Sequence, residues 1–522
     1  MITEETFFWY DLETFGLDPR YDRIAQFAGI RTTMNLQQIG DPEVLYCRLS
    51  DDYLPDPLAC LVTRITPQEV EEKGLCESEF IGKINDLFSV PGTCAVGFNS
   101  IRFDDEFIRN TLFRNFIDPY KREYKNGNSR WDIIDLVRAA YDLRPEGINW
   151  PKSKESGKPS FTLIDLMEAN GFDNEHAHDA LNDVHATMKI ARLIREKQPK
   201  LFDYFFELRD KHQVHAMLKV PFGEPVLHTA AQYTSTQGCS ALVAPIASLE
   251  RNADSIIAFN LSKDPTALIE WANSFSEAEE ALFVAASARS LLAETTTDNE
   301  MSTMLDRCTT TIERLAKAFG SAKRPVYAID GITKIAANRS PFISPMSVLT
   351  DKISTRLGID VQQCMRNYEK LLELPMLAVR VRSDAEQNQY PVIRDVDGSI
   401  YSGNFFSDAD QRRFVQIRTT EPEKLWDLNL NFDDNRAHEM LWRYICRNYR
   451  ETVGKEPDEV ERWKSFCAWR LLKPPVDSLL SLEKFHKIID GKLADMDVKA
   501  ADKEILLQLE QWANGLRKRI GL

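Results

Sequence analysis

"FFWYDLETFG", residues 7–16, is the stretch whose reading decides the fold. Four aromatic residues precede the first acid, the mark of a strand buried on both faces. Side chains alternate along a strand, so Asp11 and Glu13 point the same way. Two carboxylates held together at the end of an apolar strand repel each other and lose hydration. The pair therefore calls for something positive between them.

The composition is that of a globular protein: 522 residues, 43% hydrophobic and 10% aromatic, enough for two to four domains. Residues 1–20 hold no basic segment followed by an apolar run, and no stretch approaches the roughly 20 apolar residues of a membrane span. A cytoplasmic protein, with no membrane partner, is expected. The nine cysteines are scattered without a CxxC pair, which suggests neither a disulfide framework nor a structural zinc site. A net charge of −15 argues by itself against a polyanionic partner. Its distribution is uneven, however. Between Thr311 and Arg356 eight Lys or Arg face three acids, read either as a basic patch or as chance clustering on a solvated face.

Residues 7–200 read as α/β. Strand-like runs at Phe7–Asp11, Ile24–Thr32, Glu43–Arg48 and Cys94–Phe98 are followed by helical patterns at Thr66–Lys73, Phe80–Phe88, Phe103–Phe116 and His178–Glu196. This order predicts a mixed sheet packed by helices. The Pro-, Gly-, Ser- and Lys-rich stretch 144–160 reads as a loop, and a first boundary falls where a long helix meets Pro199. From 201 to 355 short β-like runs ("PVLHTAAQY", "CSALVAPIA", "SIIAFNL") surround a helical stretch near 276–320. From 356 to 522 the pattern is helical, near 407–417, 434–449, 457–472 and 476–519, after an irregular loop at 384–405. Three domains, 1–200, 201–355 and 356–522, are expected.

Further acids accompany the opening pair. In "VGFNSIRFDDEF", 96–107, a strand ends at Asn99 and a helix opens with Asp104 and Asp105, positions where acids often serve only the helix dipole. In "RWDIIDL", 130–136, Asp132 and Asp135 read as caps of a turn entering a helix. In "HAHDALNDVHATMKIARL", 176–193, Asp183 lies on or beside an apolar helical stripe, with His178 five residues earlier. Hard oxygen donors without cysteine select magnesium or manganese over zinc. The positive partner is then a pair of divalent ions, one activating a water and the other stabilising the leaving oxygen of a phosphodiester, with His178 as proton acceptor.

The set D-x-E, F-D and H-x-x-x-x-D, in this order and spacing, resembles the DEDDh 3′→5′ exonuclease superfamily. The segments "DLETFG", "RIAQFAGIRT", "GFNSIRFDDEF", "LRPEGINWP" and "AHDALNDVHAT", with "FFSDAD", "RYICRNY" and "ERWKSF" further on, are similar to the bacterial exonuclease I family and extend the likeness over nearly the whole chain. The resemblance implies a ribonuclease H-like exonuclease domain with a mixed β-sheet, an SH3-like α+β middle domain and a helical C-terminal domain. It implies an enzyme that degrades single-stranded DNA from the 3′ end to nucleoside 5′-monophosphates, in DNA repair and recombination. The metal ligands would be Asp11, Glu13, Asp104 and Asp183, holding two Mg²⁺ with Mn²⁺ as a substitute, and His178 the base. Asp104 is preferred to Asp105 because the family's acid directly follows the phenylalanine. Candidate strand contacts are Thr14, Phe15, Lys121, Arg130 and Arg144. The family's protein partner, the acidic C-terminal tail of single-stranded DNA-binding protein, would meet Lys323, Arg324 or Arg339. Aromatic residues Phe319, Tyr327 and Phe342 are candidate stacking platforms, though each fits a core role as well.

Three other readings stand beside this one. A DEDDh exonuclease acting on RNA would carry the same carboxylates, since the sugar is chosen by the pocket and not by the cutting chemistry. A non-catalytic single-stranded nucleic-acid scaffold would be favoured by loss of an acid or of the histidine, and none is missing. A histidine-aspartate phosphohydrolase built on His176, His178, Asp179 and His185 leaves Asp11 and Glu13 unexplained. No heptad pattern is present, so a monomer is expected.

Overall fold

The computed structural model describes residues 4–172, 179–274, 324–374, 376–387, 393–454 and 457–522. In chain order the first elements are β1 (Thr6–Thr14), β2 (Ile24–Thr33), β3 (Gln38–Tyr46), α1 (Pro57–Thr63), α2 (Pro67–Lys73), α3 (Glu77–Phe88), β4 (Thr93–Gly97), α4 (Asp104–Arg114), β5 (Ser129–Asp132), α5 (Ile134–Leu143), α6 (Leu163–Ala169) and α7 (Ala180–Lys197). There follow α8 (Pro199–Glu207), α9 (Lys211–Met217), β6 (Val226–Thr229), β7 (Ser240–Ser248), β8 (Ser255–Asn260), α10 (Thr266–Asn273), β9 (Ile332–Ala336) and β10 (Phe342–Pro345). The rest is helical: α11 (Asp351–Leu357), α12 (Val361–Leu372), α13 (Leu377–Gln387), α14 (Asp408–Thr419), α15 (Arg436–Asn448), α16 (Arg450–Val453), α17 (Pro457–Leu472), α18 (Leu482–Leu493) and α19 (Ala500–Ile520). The chain gathers into two compact units, one of residues 1–133, 171–192 and 391–522, the other of 134–170 and 193–390.

The first unit is built on a five-stranded mixed sheet of order β3-β2-β1-β4-β5. The β1–β2 and β2–β3 pairs are antiparallel, while β1–β4 and β4–β5 are parallel. Phe8, Tyr10 and Leu12 on one face of β1 join Phe27 and the α3 residues Phe80, Ile84 and Phe88 in one apolar cluster. The rings meet edge to face, Tyr10 on Phe88 at 4.9 Å and Phe8 on Phe88 at 5.4 Å. On the other face Phe7 stacks on Trp131 of β5 at 6.1 Å, ahead of Asp11 and Glu13. β1 runs four residues further than its apolar run, because pairing with β2 continues past both acids to Thr14.

The C-terminal helices complete this unit. Phe15, Tyr21, Leu49 and Tyr53 share a core with Trp442, Trp463, Cys467, Leu506, Leu509 and Leu516. A buried ion network lies beside it. The Arg447 guanidinium bonds Asp52 at 2.7 Å and Asp397 at 2.6 Å, and Arg470 reaches Asp395 at 3.1 Å. Such a network withstands burial only because every charge is paired.

The second unit carries a separate antiparallel sheet of order β10-β6-β7-β8-β9, with β7 buried through all but its end residues. Its α+β character agrees with the SH3-like expectation. Phe342 is wholly buried here, so it serves the core and offers no open ring.

Several local expectations are corrected. "RWDIIDL" is not a turn entering a helix: Ser129–Asp132 pair with β4 as a strand, and the helix begins at Ile134. The single helix expected over 476–519 is two, separated around residues 494–499. The helical stretch at 276–320, with Phe319, lies outside the described residues. Among the described residues the eight cysteines are free thiols, and no helix is long and apolar enough to cross a membrane.

Candidate active site

Strand alternation brings Asp11 and Glu13 to one side of β1, and the first turn of α7 brings Asp183 to them. Oxygen atoms of the three carboxylates all lie within 4.8 Å of one another. Asp104, at the start of α4, is only 4% exposed. It stands outside that triad, yet it exerts the largest charge effect on Asp11.

Burial and mutual repulsion raise the pKa of Asp11, Glu13 and Asp104. Burial first, then Asp104, Asp183, Glu13 and Asp179, push Asp11 well above the usual carboxylate range. Burial and then Asp183 and Asp179 push Glu13 up to about 8. Asp104 is also raised, by burial and then by Asp105, Asp132 and Glu13. A divalent cation relieves this repulsion, and the all-oxygen donor set of the triad suits a hard ion. The residues present thus fit divalent metal.

Asp105 differs although it is its neighbour in sequence. Burial alone would raise it, but Arg122 at 2.6 Å and Arg130 at 2.8 Å hold it well below the usual range, and Tyr10 donates its hydroxyl at 2.7 Å. Asp105 is therefore a counterion within the fold. Asp104 acts on Asp11 by charge and lies outside the triad.

The loop that presents Asp104 is held from a distance. Asp132, at the end of β5, accepts the backbone N–H of Asn99 at 2.8 Å and of Ile101 at 3.2 Å. Asn99 takes a left-handed φ of 63°. Gly97 is required just before it, since a Cβ there would fall 2.5 Å from the Ser100 side chain. Sequence reading gave Asp132 only a capping role for its own helix.

Gln26 was missed altogether. It lies opposite Glu13 in the β1–β2 register and is 2% exposed. Its Oε1 accepts the N–H of Ala180 at 3.2 Å, while Nε2 donates to Tyr46 Oη at 2.9 Å and to Asp179 Oδ2 at 3.4 Å. Asp179 in turn accepts from Leu181 N and Asn182 N, capping α7. One buried amide on β2, paired alongside the strand bearing Asp11 and Glu13, thus ties the sheet to the helix bearing Asp183. The available signal was a glutamine inside an apolar strand, which must find partners.

The other candidates fall apart from this cluster. Phe15 is 0% exposed in the shared core, so it presents no ring face to a base. Arg130 is buried between Asp105 and Glu123, a structural cation instead of an open phosphate contact. Thr14 is buried, its hydroxyl donating to Gly16 O at 2.8 Å. Lys121 is half-exposed and pairs with Asp118 at 3.0 Å. Arg144 is exposed and donates to Leu143 O. In the second unit Arg324 is exposed and bonds the carbonyl of Ala328, and Arg339 is partly buried. His178 and Lys323 lie outside the described residues.

Against known proteins, three family models match in series: Exonuclease over residues 8–191, Exonuclease I SH3-like domain over 209–297 and 313–384, and Exonuclease I C-terminal domain over 394–516. Exodeoxyribonuclease I of Haemophilus influenzae is 39% identical over 485 residues, 93% of this chain and 94% of that one. The solved exonuclease I of Methylocaldum szegediense superposes with a TM-score of 0.83 at 39% identity, covering 98% of this chain and 99% of that one. Escherichia coli exonuclease I in complex with a dA16 oligonucleotide gives 0.82 at 34% identity, over 98% and 100%. A carboxylate cluster of this kind, at the head of a chain that matches from its first strand to its last helix, places the protein in the exonuclease I family.

Proposed function

We propose that the chain is a 3′→5′ exonuclease of single-stranded DNA that releases nucleoside 5′-monophosphates at Asp11, Glu13, Asp104 and Asp183. The observation that carries the reading is the gathering of the Asp11, Glu13 and Asp183 carboxylates into a hard-cation site, with Asp104 acting on Asp11, in a member of a nuclease family. Two bound Mg²⁺ ions, or Mn²⁺ in their place, would polarise the scissile phosphodiester and lower the pKa of the attacking water. The chain's own residues do the rest. Asp11, Glu13 and Asp183 hold the cations, and Asp104 adds the fourth negative charge beside Asp11. Gln26 and Asp132 fix the elements that carry these acids. His178 takes the proton of the attacking water, a role suited to an imidazole near neutral pH.

The oligonucleotide-bound relative supports a single strand as the substrate. Lys121, Arg144 and Thr14 are offered as contacts to it. A solved structure of SSB and exonuclease I with an inhibitor, similar over 98% of this chain, supports single-stranded DNA-binding protein as partner. Its acidic tail would be met by Lys323, Arg324 and Arg339. A division into an exonuclease part, 1–200, an SH3-like part, 201–355, and a helical part, 356–522, is proposed; the matched ranges support the order of the three parts, with the SH3-like match running on to residue 384 and the C-terminal match starting at 394. We place the enzyme in the cytoplasm as a monomer that acts in DNA repair and recombination.

The test is digestion of three 5′-labelled oligonucleotides with Mg²⁺, a single-stranded DNA, the matching RNA and a blunt duplex, beside Asp183→Asn. Loss of the single-stranded DNA alone from its 3′ end, absent in the variant, is the expected result. Equal loss of RNA would overturn the substrate, and undiminished cleavage by the variant would overturn the site.

A further inference from the structure

A cavity of about 510 Å³ lies in the first unit, apart from the carboxylates, and its wall is basic. One side is a face of α14 on which Asp408, Gln411, Arg412, Val415 and Arg418 recur at helical spacing, while Asp410, Phe414 and Ile417 turn into the core. The other side is the segment Phe116–Asn128, which brings Lys121 and Lys125. The volume falls within the roughly 300–1,000 Å³ of small-ligand sites.

The charges are poised for an anion. Lys121 is paired with Asp118, and Arg122 with Asp105. Among the described residues Lys125, Arg412 and Arg418 make no ion pair, and all three line the cavity. The wall also holds Asp118 and Asp408, and Asp86 acts on Arg418 and Arg412 on Asp433 from further off, yet five Lys or Arg against two acids leave the lining net positive in a chain of net charge −15, and a concave wall concentrates that field. Val415, 50% exposed, and Ile117 add an apolar patch between them. The wall also holds two non-glycine residues in the left-handed region, Phe116 at φ 60° and Asn126 at φ 58°. Such backbone is costly and persists where surrounding structure enforces it.

The cavity is distinct from the cleavage site. β1 and β4 run parallel, and the chain around Asn126 bonds Gly92, beside the start of β1. Asp11 stands five residues on, roughly 16 Å along the strand.

We infer that this cavity is a second anion site that takes the phosphate of a nucleotide, with its sugar or base against Ile117 and Val415. The inference rests on the proposed single-strand substrate. The source of the phosphate is either the backbone of the strand or a free mononucleotide, and the apolar patch favours either over an acidic peptide, whose carboxylates need no such surface.

The test uses the full chain in EDTA, so that nothing is cut, with the double variant Arg412→Ala/Arg418→Ala. Labelled dT16, dTMP and oligoglutamate are titrated separately. If the strand occupies the cavity, the variant should bind dT16 about 25-fold more weakly at 0.1 M salt, and the slope of log K against log salt should shrink by about 1.4, from ~0.7 per phosphate lost. If a free nucleotide occupies it, dTMP binding should vanish while dT16 is unaffected. Identical dT16 affinity, identical salt slope and identical dTMP titration in variant and wild type would overturn the inference. So would loss of oligoglutamate binding alone. Wild type that fails to bind dT16 at all would sink the substrate reading instead, leaving the dTMP arm to judge the cavity.

Discussion

Replacing Glu13 by Gln should stabilise the protein when metal is absent and disable it when metal is present. Glu13 is 8% exposed and its carboxyl is pushed from an ordinary 4.5 up to about 8. At pH 7 an unfolded chain ionises this group freely, whereas the fold must hold it protonated or charged at a penalty. The difference amounts to ~3 kcal/mol against the folded state. The sign follows from proton counting: the folded carboxyl binds its proton more tightly, so unfolding releases it. Stability without metal therefore falls as pH rises from about 4.5 to about 8 and levels off above. Gln removes this penalty and Glu13's share of the slope, while Asp11 and Asp104, also raised, keep theirs. Spread over the roughly 290 residues of the first unit, ~3 kcal/mol corresponds to about 5 °C in melting temperature. Thermal melts in EDTA at pH 5, 7 and 8.5 measure it, with Mg²⁺ or Mn²⁺ added in a parallel series. Wild type should gain stability on metal addition and the variant should gain little. A variant that melts at or below wild type in EDTA at pH 8.5, with the same pH slope, would refute the reasoning.

Two further substitutions probe the neighbourhood. Asp105→Asn leaves the buried Arg122 and Arg130 with Glu123 alone between them, so denaturant unfolding should show a loss of about 3 kcal/mol, whereas Asp104→Asn should raise metal-free stability and abolish cleavage; equal effects of the two would erase the distinction drawn between them. Gln26→Leu loosens the start of α7, and the Mn²⁺ concentration for half-maximal cleavage should rise roughly 10-fold or more, with dT16 affinity in EDTA unchanged. An unaltered metal titration would show that the amide positions nothing.

What could be read before folding was whatever depends on near neighbours in sequence. Asp11 and Glu13 announce their shared side because a strand alternates with period two, and Asp183 announces itself as an acid out of place on an apolar stripe. The mixed sheet followed from the order of runs. Periodicity does not separate Asp104 from Asp105, because both open one helix; the partners that engage Asp105, Arg122 and Arg130, lie 17 and 25 residues downstream. Asp132 and Gln26 escaped for the same reason. Their partners, Asn99 and Ala180, are 33 and 154 residues away. Phe15 reads as a strand contact because much of its cover, from Trp442 to Leu516, comes from helices more than 400 residues later.

That cover has a consequence for how the enzyme is made. The strand bearing Asp11 and Glu13 is made well before its cover: Phe15, just beyond Glu13, is buried in a core shared with Leu506, Leu509 and Leu516, and Asp52 waits for Arg447. Contacts of such long reach form late. The carboxylate site therefore acquires this support only after the helices that carry Arg447 and Leu506 have been made, and a nascent chain short of them carries the acids without the frame that holds their strand.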